Sequence, residues 1–357
     1  MIGAAIAAVL VLIGGITSAV LFSGGEDAVA APAMISSDND TSCSIADGIA
    51  YCWGENENGQ VGDGTTVNRS TPTRVEGLTG VSDISAGGLS CAIADTNAYC
   101  WGLNHYGQIG DGTTESRSTP TAVQGLSNVT AISPAYQMAC AIADGFPYCW
   151  GDNQHGQLGD GSTTNRTTPV RVEGLTEVSA ISAGAGAACA ISNGDLYCWG
   201  SNTYNVLSDT MPSGYEAHRA SPVQIPGLRD VTAVTVDGAG VCVIAGGIPY
   251  CWGSNEYTQG NTPTRVVGLS NPSFITNGGG TACAIADGSA YCWGDNEYGQ
   301  IGDGSTQDRD LPTRVEGLTD VTSISVGESA CAVAAGNRYC WGGSSAKQTT
   351  PVQVDFP

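Results

Sequence analysis

The sequence predicts an all-β fold, a seven-bladed β-propeller, and three observations carry that prediction. The tetrapeptide Tyr-Cys-Trp-Gly begins at Tyr51, Tyr99, Tyr148, Tyr197, Tyr250, Tyr291 and Tyr339, at steps of 48, 49, 49, 53, 41 and 48 residues. A period of this length, built of short apolar runs between glycine-rich turns, marks a repeat architecture. Each copy closes a segment with eight residues between two cysteines, as from Cys91 to Cys100. Four strand-like segments fall in each unit, the content of a propeller blade. With 51 glycines among 357 residues, and no long helical period beyond residue 25, the composition leaves little room for helix.

The cysteine segment reads as a hairpin. Between Cys43 and Cys52 the pair Asp47-Gly48 sits at the midpoint, and Asp-Gly fills the two-residue turn whose central residues both take positive φ. Counting outward, Ala46 faces Ile49, Ile45 faces Ala50, Ser44 faces Tyr51 and Cys43 faces Cys52. The cysteines then form a non-hydrogen-bonded pair, whose α-carbons lie about 4.5 Å apart, within disulfide reach. Asp144-Gly145 and Asp287-Gly288 repeat the turn; Asp95-Thr96, Gly194-Asp195, Gly246-Gly247 and Gly336-Asn337 vary it. The expected bridges are Cys43 with Cys52, Cys91 with Cys100, Cys140 with Cys149, Cys189 with Cys198, Cys242 with Cys251, Cys283 with Cys292, and Cys331 with Cys340. Zinc is the alternative use of so many cysteines, but such sites join close pairs and no C-x2-C spacing occurs. Disulfides persist in oxidising compartments, so an extracytoplasmic protein is expected.

After each Trp-Gly comes a loop of fixed grammar, Glu55 to Thr65 in the first copy and Asn104 to Thr113 in the second, with glycines at constant offsets. Next is a strand entered through proline, Pro72 to Val75, matched by Pro120, Pro169, Pro222, Pro263, Pro312 and Pro351; proline belongs at a strand start or a sheet edge. A Gly77-Leu78 turn leads to Val81 and Ile84, spaced for a buried strand running into the next hairpin. The last Pro-x-x-Val segment, Pro351 to Val354, has no hairpin after it, and Met34 and Ile35 precede the first hairpin. The expectation is a ring closed by N- and C-terminal strands in one blade.

Ile2 to Phe22 is an uncharged run long enough to cross a bilayer core. Ala28-Val29-Ala30 offers an A-x-A cleavage site. The expected organisation is a signal peptide or transmembrane anchor over residues 1–25, a linker over 26–33 and the propeller over 34–357. The protein is then secreted, or membrane-anchored through residues 2–22 if uncleaved, with the repeats outside in either case.

The order Tyr-Cys-Trp-Gly-x-Asn-x-x-Gly-Gln-[Val/Ile/Leu]-Gly-Asp-Gly, then Thr-Pro-x-x-Val and Val-x-x-Ile-x-x-Gly, resembles the regulator of chromosome condensation repeat family over about residues 34–357. The resemblance implies a seven-bladed propeller. Two departures stand out. Where the family usually carries a histidine before the hairpin this chain has Leu89, Met138 and Ala187, and the family's usual members lack the paired cysteines. The second departure suits an extracellular, bacterial-type variant.

Net charge is −22, with 34 acidic residues against 12 basic, a surface that repels phosphate backbones, so no nucleic-acid partner is expected. The seven tryptophans, Trp53, Trp101, Trp150, Trp199, Trp252, Trp293 and Trp341, share a strand with a cysteine and read as packing between blades, not as a ring of ligand-stacking aromatics. The loop aspartates Asp63, Asp111, Asp160 and Asp303, with Glu55, Glu57, Asp152 or Asp295, could in principle gather calcium; without an EF-hand order, turn chemistry is the preferred reading and no metal site is assigned. His105, His155 and His218 fall in no ligand or nucleophile motif and no Gly-x-Ser-x-Gly elbow is present, so no catalytic residue, enzyme activity or cofactor is assigned.

The expected function is a monomeric, non-catalytic binding propeller that engages an extracellular protein or glycan through its loops. A structural cell-surface protein is the alternative, with a hydrolase or a secreted enzyme-inhibitor propeller less favoured. Function in a repeat protein tends to sit where the repeat is broken. The longest unit carries an insertion over Thr203–Arg219, and the next has its loop cut to Thr258–Asn261. Tyr204, Tyr215, His218, Arg219 and Tyr257 are therefore the candidate binding residues.

Overall fold

Each cysteine hairpin takes the register its turn dictates. In the computed structural model of the chain, Asp47 and Gly48 have φ of 49° and 71°. Cys43 stands opposite Cys52, Ser44 opposite Tyr51, Ile45 opposite Ala50 and Ala46 opposite Ile49. The geometry recurs in all seven copies, and seven disulfides join residues nine apart across Cα–Cα distances of 4.1 to 4.2 Å. Closing so short a loop stabilises by at most about 2.5 kcal/mol per bridge, because little chain entropy is removed from the unfolded state. Non-reducing peptide mapping is expected to recover only these local links; a crosslink between hairpins or a free thiol would contradict the register.

The structure describes residues 34–38, 41–208, 217–254, 260–344 and 347–356. Residues 1–33, with the expected leader or anchor and the linker, lie outside the described residues, as do Tyr215 and Tyr257. Every hairpin gains one strand on either side, giving seven four-stranded antiparallel sheets and no helix among the described residues. The first blade runs Ile35–Asp38, Thr41–Ala46, Ile49–Gly54, Arg69–Arg74 from axis to rim, and the seventh runs Val321–Val326, Ser329–Ala334, Asn337–Gly342, Gln348–Gln353. The Thr-Pro segments are the outer strands, where a residue without an N–H costs no ladder bond.

Ring closure differs from the expectation. No blade is shared between the termini: the C-terminal strand Gln348–Gln353 pairs with Asn337–Gly342 of its own blade, and Ile35–Asp38 pairs with Thr41–Ala46. Each outer strand belongs to the hairpin before it, because the loop after Trp-Gly folds back and returns the chain alongside the third strand. Gly-Leu is the crossing from the rim of one blade to the axis of the next.

Hydroxyl groups on the inner strands hold neighbouring blades together instead. Ser36 Oγ accepts the N–H of Ala86 on blade 2 at 3.0 Å, Ser133 that of Ala183 on blade 4 at 3.0 Å, and Ser182 that of Val236 on blade 5 at 2.9 Å. The seam between the terminal blades uses the same device: Ser325 Oγ accepts from Ser37 N at 3.0 Å and donates to Ser37 O at 3.1 Å. Arg338 adds bonds to Ser44 Oγ and Ile45 O across that seam. At blade 3 the residue due to donate to Ser85 is Pro134, which has no N–H.

The core is divided among the interfaces between blades. Trp101, Trp150, Trp199, Trp252, Trp293 and Trp341 are buried, as packing residues should be. The indole N–H of Trp101, Trp150, Trp199 and Trp341 donates to the backbone O of Gln60, Gln108, Gln157 and Gln300 on the preceding blade at 2.8 to 2.9 Å, and that of Trp252 to Val206 O at 2.9 Å. Trp53 is the exception, only half-buried. Blade 7 lacks the Asn-x-x-Gly-Gln sequence after its Trp-Gly, and Phe356 packs edge-on against Trp53 and Tyr51, each at 5.7 Å.

One charged residue enters this apolar packing. Asp83 stands opposite Ile93 in the register that puts Ala131, Ala180, Ala233 and Phe274 opposite the matching isoleucines of other blades. Those four lie in the apolar clusters between their own blade and the next, so Asp83 takes that place between blades 2 and 3. It is 3% exposed and its Oδ1 has no hydrogen-bond partner. Burial pushes the carboxyl up from 3.8 to about 7, opposed only in part by a backbone hydrogen bond at Ile84.

A candidate binding face

Strands alternate in direction within a blade, so the connections after the inner and third strands emerge on one face of the ring. The Asp-Gly hairpins and Gly-Leu crossings emerge on the other. The first of these faces carries both the variable loops and the mouth of an axial cavity of about 250 Å³. Channel hydroxyls come from one inner-strand position in every blade, among them Ser36, Ser85, Thr276 and Ser325. At the mouth are Asp38, Asp237 and Tyr136. Tyr136 is 57% exposed, its ring lying over Gly88 of blade 2, where a Cβ would come within 3.6 Å of it. Asp237 Oδ1 accepts the N–H groups of Ala239 and Gly240, which fixes the loop beside it.

The loops after the third strands are rigid for an identifiable reason. In blade 1, Asn56 Oδ1 accepts Val61 N at 2.9 Å while its Nδ2 donates to the carbonyls of Thr65 and Val67. Asn104, Asn153 and Asn296 repeat the bracing. The Gly-Asp-Gly carboxylates are spent locally: Asp63, Asp111, Asp160 and Asp303 each pair with the arginine six residues on, Arg69, Arg117, Arg166 and Arg309. Partial burial works to raise these carboxyls, but hydrogen bonds from Thr65, Thr113, Ser162 and Ser305 and from the arginines outweigh it and hold them below the usual carboxylate range. Turn chemistry is thus the use the structure gives these aspartates.

In the loops that carry Gly-Gln, the residue before that Gly is mounted at the junction with the next blade. Its N–H donates to the Gln side chain at 2.9 Å: Tyr106 to Gln108, His155 to Gln157 and Tyr298 to Gln300. The glycine that follows touches the outer strand ahead, where a Cβ on Gly107 would lie 2.7 Å from Thr167 and one on Gly156 2.5 Å from Ala220. Only glycine permits that approach. Tyr106, His155, Tyr204 and Tyr298 hold this position in blades 2, 3, 4 and 6, and Asn58 holds it in blade 1.

The structure separates the residues proposed from sequence. Tyr204 lies in an ordinary loop: Asn202 Oδ1 accepts Leu207 N at 3.0 Å, as Asn56 does for Val61, so residues 203–207 are regular repeat and the insertion begins after them. It is 46% exposed because the blade ahead has an outer strand of only two residues, Thr264–Arg265. His218 and Arg219 open the outer strand of blade 4, opposite Ser201 and Gly200. The His218 ring meets His155 of blade 3 at 6.4 Å, whereas the Tyr204 loop reaches blade 5 through Asn205 and Ser254. Sequence reasoning did not single out Tyr136 or group the loop aromatics; the recurring Asn-x-[Tyr/His], followed by Gly-Gln at Tyr106, His155 and Tyr298 and by Asn205-Val206 at Tyr204, is the signal that marks the latter.

Fold and face together define a class: a disulfide-stapled, seven-bladed repeat propeller with a braced loop face. The Regulator of chromosome condensation (RCC1) repeat matches residues 47–94, 95–142, 144–191 and 287–334, more than half of the chain. The chain belongs to this family. No curated protein matches it in sequence. Among solved structures it is similar to human WBSCR16, with a TM-score of 0.73 and 20% identity over 82% of this chain and 83% of that one. It is also similar to Prp20p from Saccharomyces cerevisiae, a structure reported with its binding to Gsp1p and histones, at 0.72 and 19% over 83% and 80%. The CRINKLY WD40 ectodomain of the Arabidopsis thaliana receptor kinase ACR4 aligns at 0.54 and 19% over 90% and 97%.

Proposed function

We propose that the protein is an extracytoplasmic, non-catalytic binding propeller that engages a protein or glycan through its loop face. The observation that carries this is Tyr136, a large ring held 57% exposed at the mouth of the axial cavity, on the face that also bears the loop aromatics. Exposed aromatics on a rigid frame are the usual anchors of recognition, since they bury much area and lose little side-chain freedom. Seven hairpin disulfides support placement in an oxidising compartment. The ectodomain of a plant receptor kinase is a neighbour in fold and lends the same placement a precedent.

The test pairs a glycan array with capture from extracellular fractions, using the immobilised full chain and its Tyr136→Arg variant. A defined protein or glycan is expected to bind and to be lost in the variant, with thermal stability unchanged. Retention by both alike would move the site off this face; no ligand of either kind would favour a structural surface role.

A further inference from the structure

Resting on that reading, we propose that the loop aromatics, one from each of blades 2, 3, 4 and 6, form an arc of stacking platforms for an uncharged polysaccharide chain. The rings occupy one register position in blades 2, 3, 4 and 6, each set by the Asn-braced turn of its own loop. Propeller symmetry therefore spaces the rings of neighbouring blades evenly around one rim. Two of them contact the blade ahead, His155 meeting the His218 ring at 6.4 Å and Tyr298 the Lys347 ammonium at 5.6 Å. Tyr204, facing the shortened blade, is the most exposed of the four.

Regular spacing is what distinguishes a polymer ligand from a globular one. A protein partner would select a clustered hot spot, whereas sugar rings offer an apolar C–H face at each repeat and stack on aromatics in series. Charge narrows the class further. The arginines of these loops, Arg69, Arg117, Arg166 and Arg309, are consumed by their aspartates, and carboxylates such as Glu55, Glu57, Glu115 and Glu297 stand exposed around them. An anionic polymer is repelled from such a rim; a neutral one is not.

The experiment is isothermal titration of the full chain with cellohexaose, laminarihexaose, mannohexaose and chitohexaose, and with oligogalacturonate and a heparin hexasaccharide as anionic probes. At least one neutral hexaose is expected to bind, its trisaccharide more weakly. Loss of one stacking contact corresponds to about fivefold in affinity, so Tyr204→Ala and Tyr298→Ala should each weaken binding by that factor and together multiplicatively, while Tyr204→Phe and Tyr298→Phe retain it. Circular dichroism of the variants checks that the fold is intact. Silence from every neutral probe overturns the proposal, as does equal binding of the anionic probes or indifference to both alanine variants. Should the chain instead capture a protein through Tyr136 while no glycan binds, the arc fails and the binding propeller stands.

Discussion

Asp83→Ala is expected to stabilise the protein at pH 8 and to leave it nearly unchanged at pH 4. The carboxyl titrates at about 7 in the folded chain against 3.8 for a free aspartate. Between those values the folded state keeps a proton that the unfolded state releases, so its stability falls as pH rises through that window and is flat above it. At 1.36 kcal/mol per unit the accumulated cost at pH 8 is about 4 kcal/mol, on the order of 5 °C in Tm for a chain of this size. Alanine is the residue at this register in blades 3, 4 and 5, at Ala131, Ala180 and Ala233. Melting curves of both proteins from pH 3.5 to 8.5 are the measurement. A difference that stays constant with pH would show that Asp83 does not titrate between blades 2 and 3.

Gly102→Ala is expected to destabilise far more than Gly125→Ala, although both glycines have positive φ, 101° and 74°. A Cβ at Gly102 would lie 2.5 Å from the backbone O of Gly88, and one at Gly125 meets nothing within 4 Å. Gly125→Ala then carries only the conformational cost, about 1 kcal/mol, while Gly102→Ala must also move a backbone carbonyl and should exceed about 3 kcal/mol. Denaturant unfolding of the two variants decides; equal losses would mean that the loop above Gly88 yields freely.

The hairpins were legible because their signal is local: Asp47-Gly48 fixes both turn and register, and the cysteines follow by counting. The blade boundary was not, since a periodic sequence has no privileged starting point. Pro351–Val354 and Met34-Ile35 look complementary in sequence, and only the return of the chain from the Trp-Gly loop assigns each outer strand to the hairpin before it. Asp83 reads as an ordinary polar residue within Val81-Ser82-Asp83-Ile84; its burial emerges only against the Ala131 and Ala180 of its neighbours. The proposed cluster of Tyr204 with His218 and Arg219 followed the length of the insertion, which hid the fact that Thr203–Leu207 is regular loop and that His218 turns toward blade 3.

Because every blade is one continuous stretch of chain, the order of events during synthesis is set as well. A propeller sealed by exchanged strands must wait for its last residues before its first blade is whole. Here blade 1 has all four strands once Arg74 is made and blade 2 once Ala122 is made, and each new blade finds a finished neighbour to dock on. The contacts between the two ends of the chain form in one late event, the docking of blade 7 on blade 1 that brings Ser325 to Ser37, Arg338 to Ser44 and Phe356 to Trp53, so the entropic cost of joining the two ends falls on a structure that is already ordered. Oxidation can keep pace too, since each cysteine has its partner nine residues away, and growth from the N-terminus leaves little opportunity for a wrong pairing.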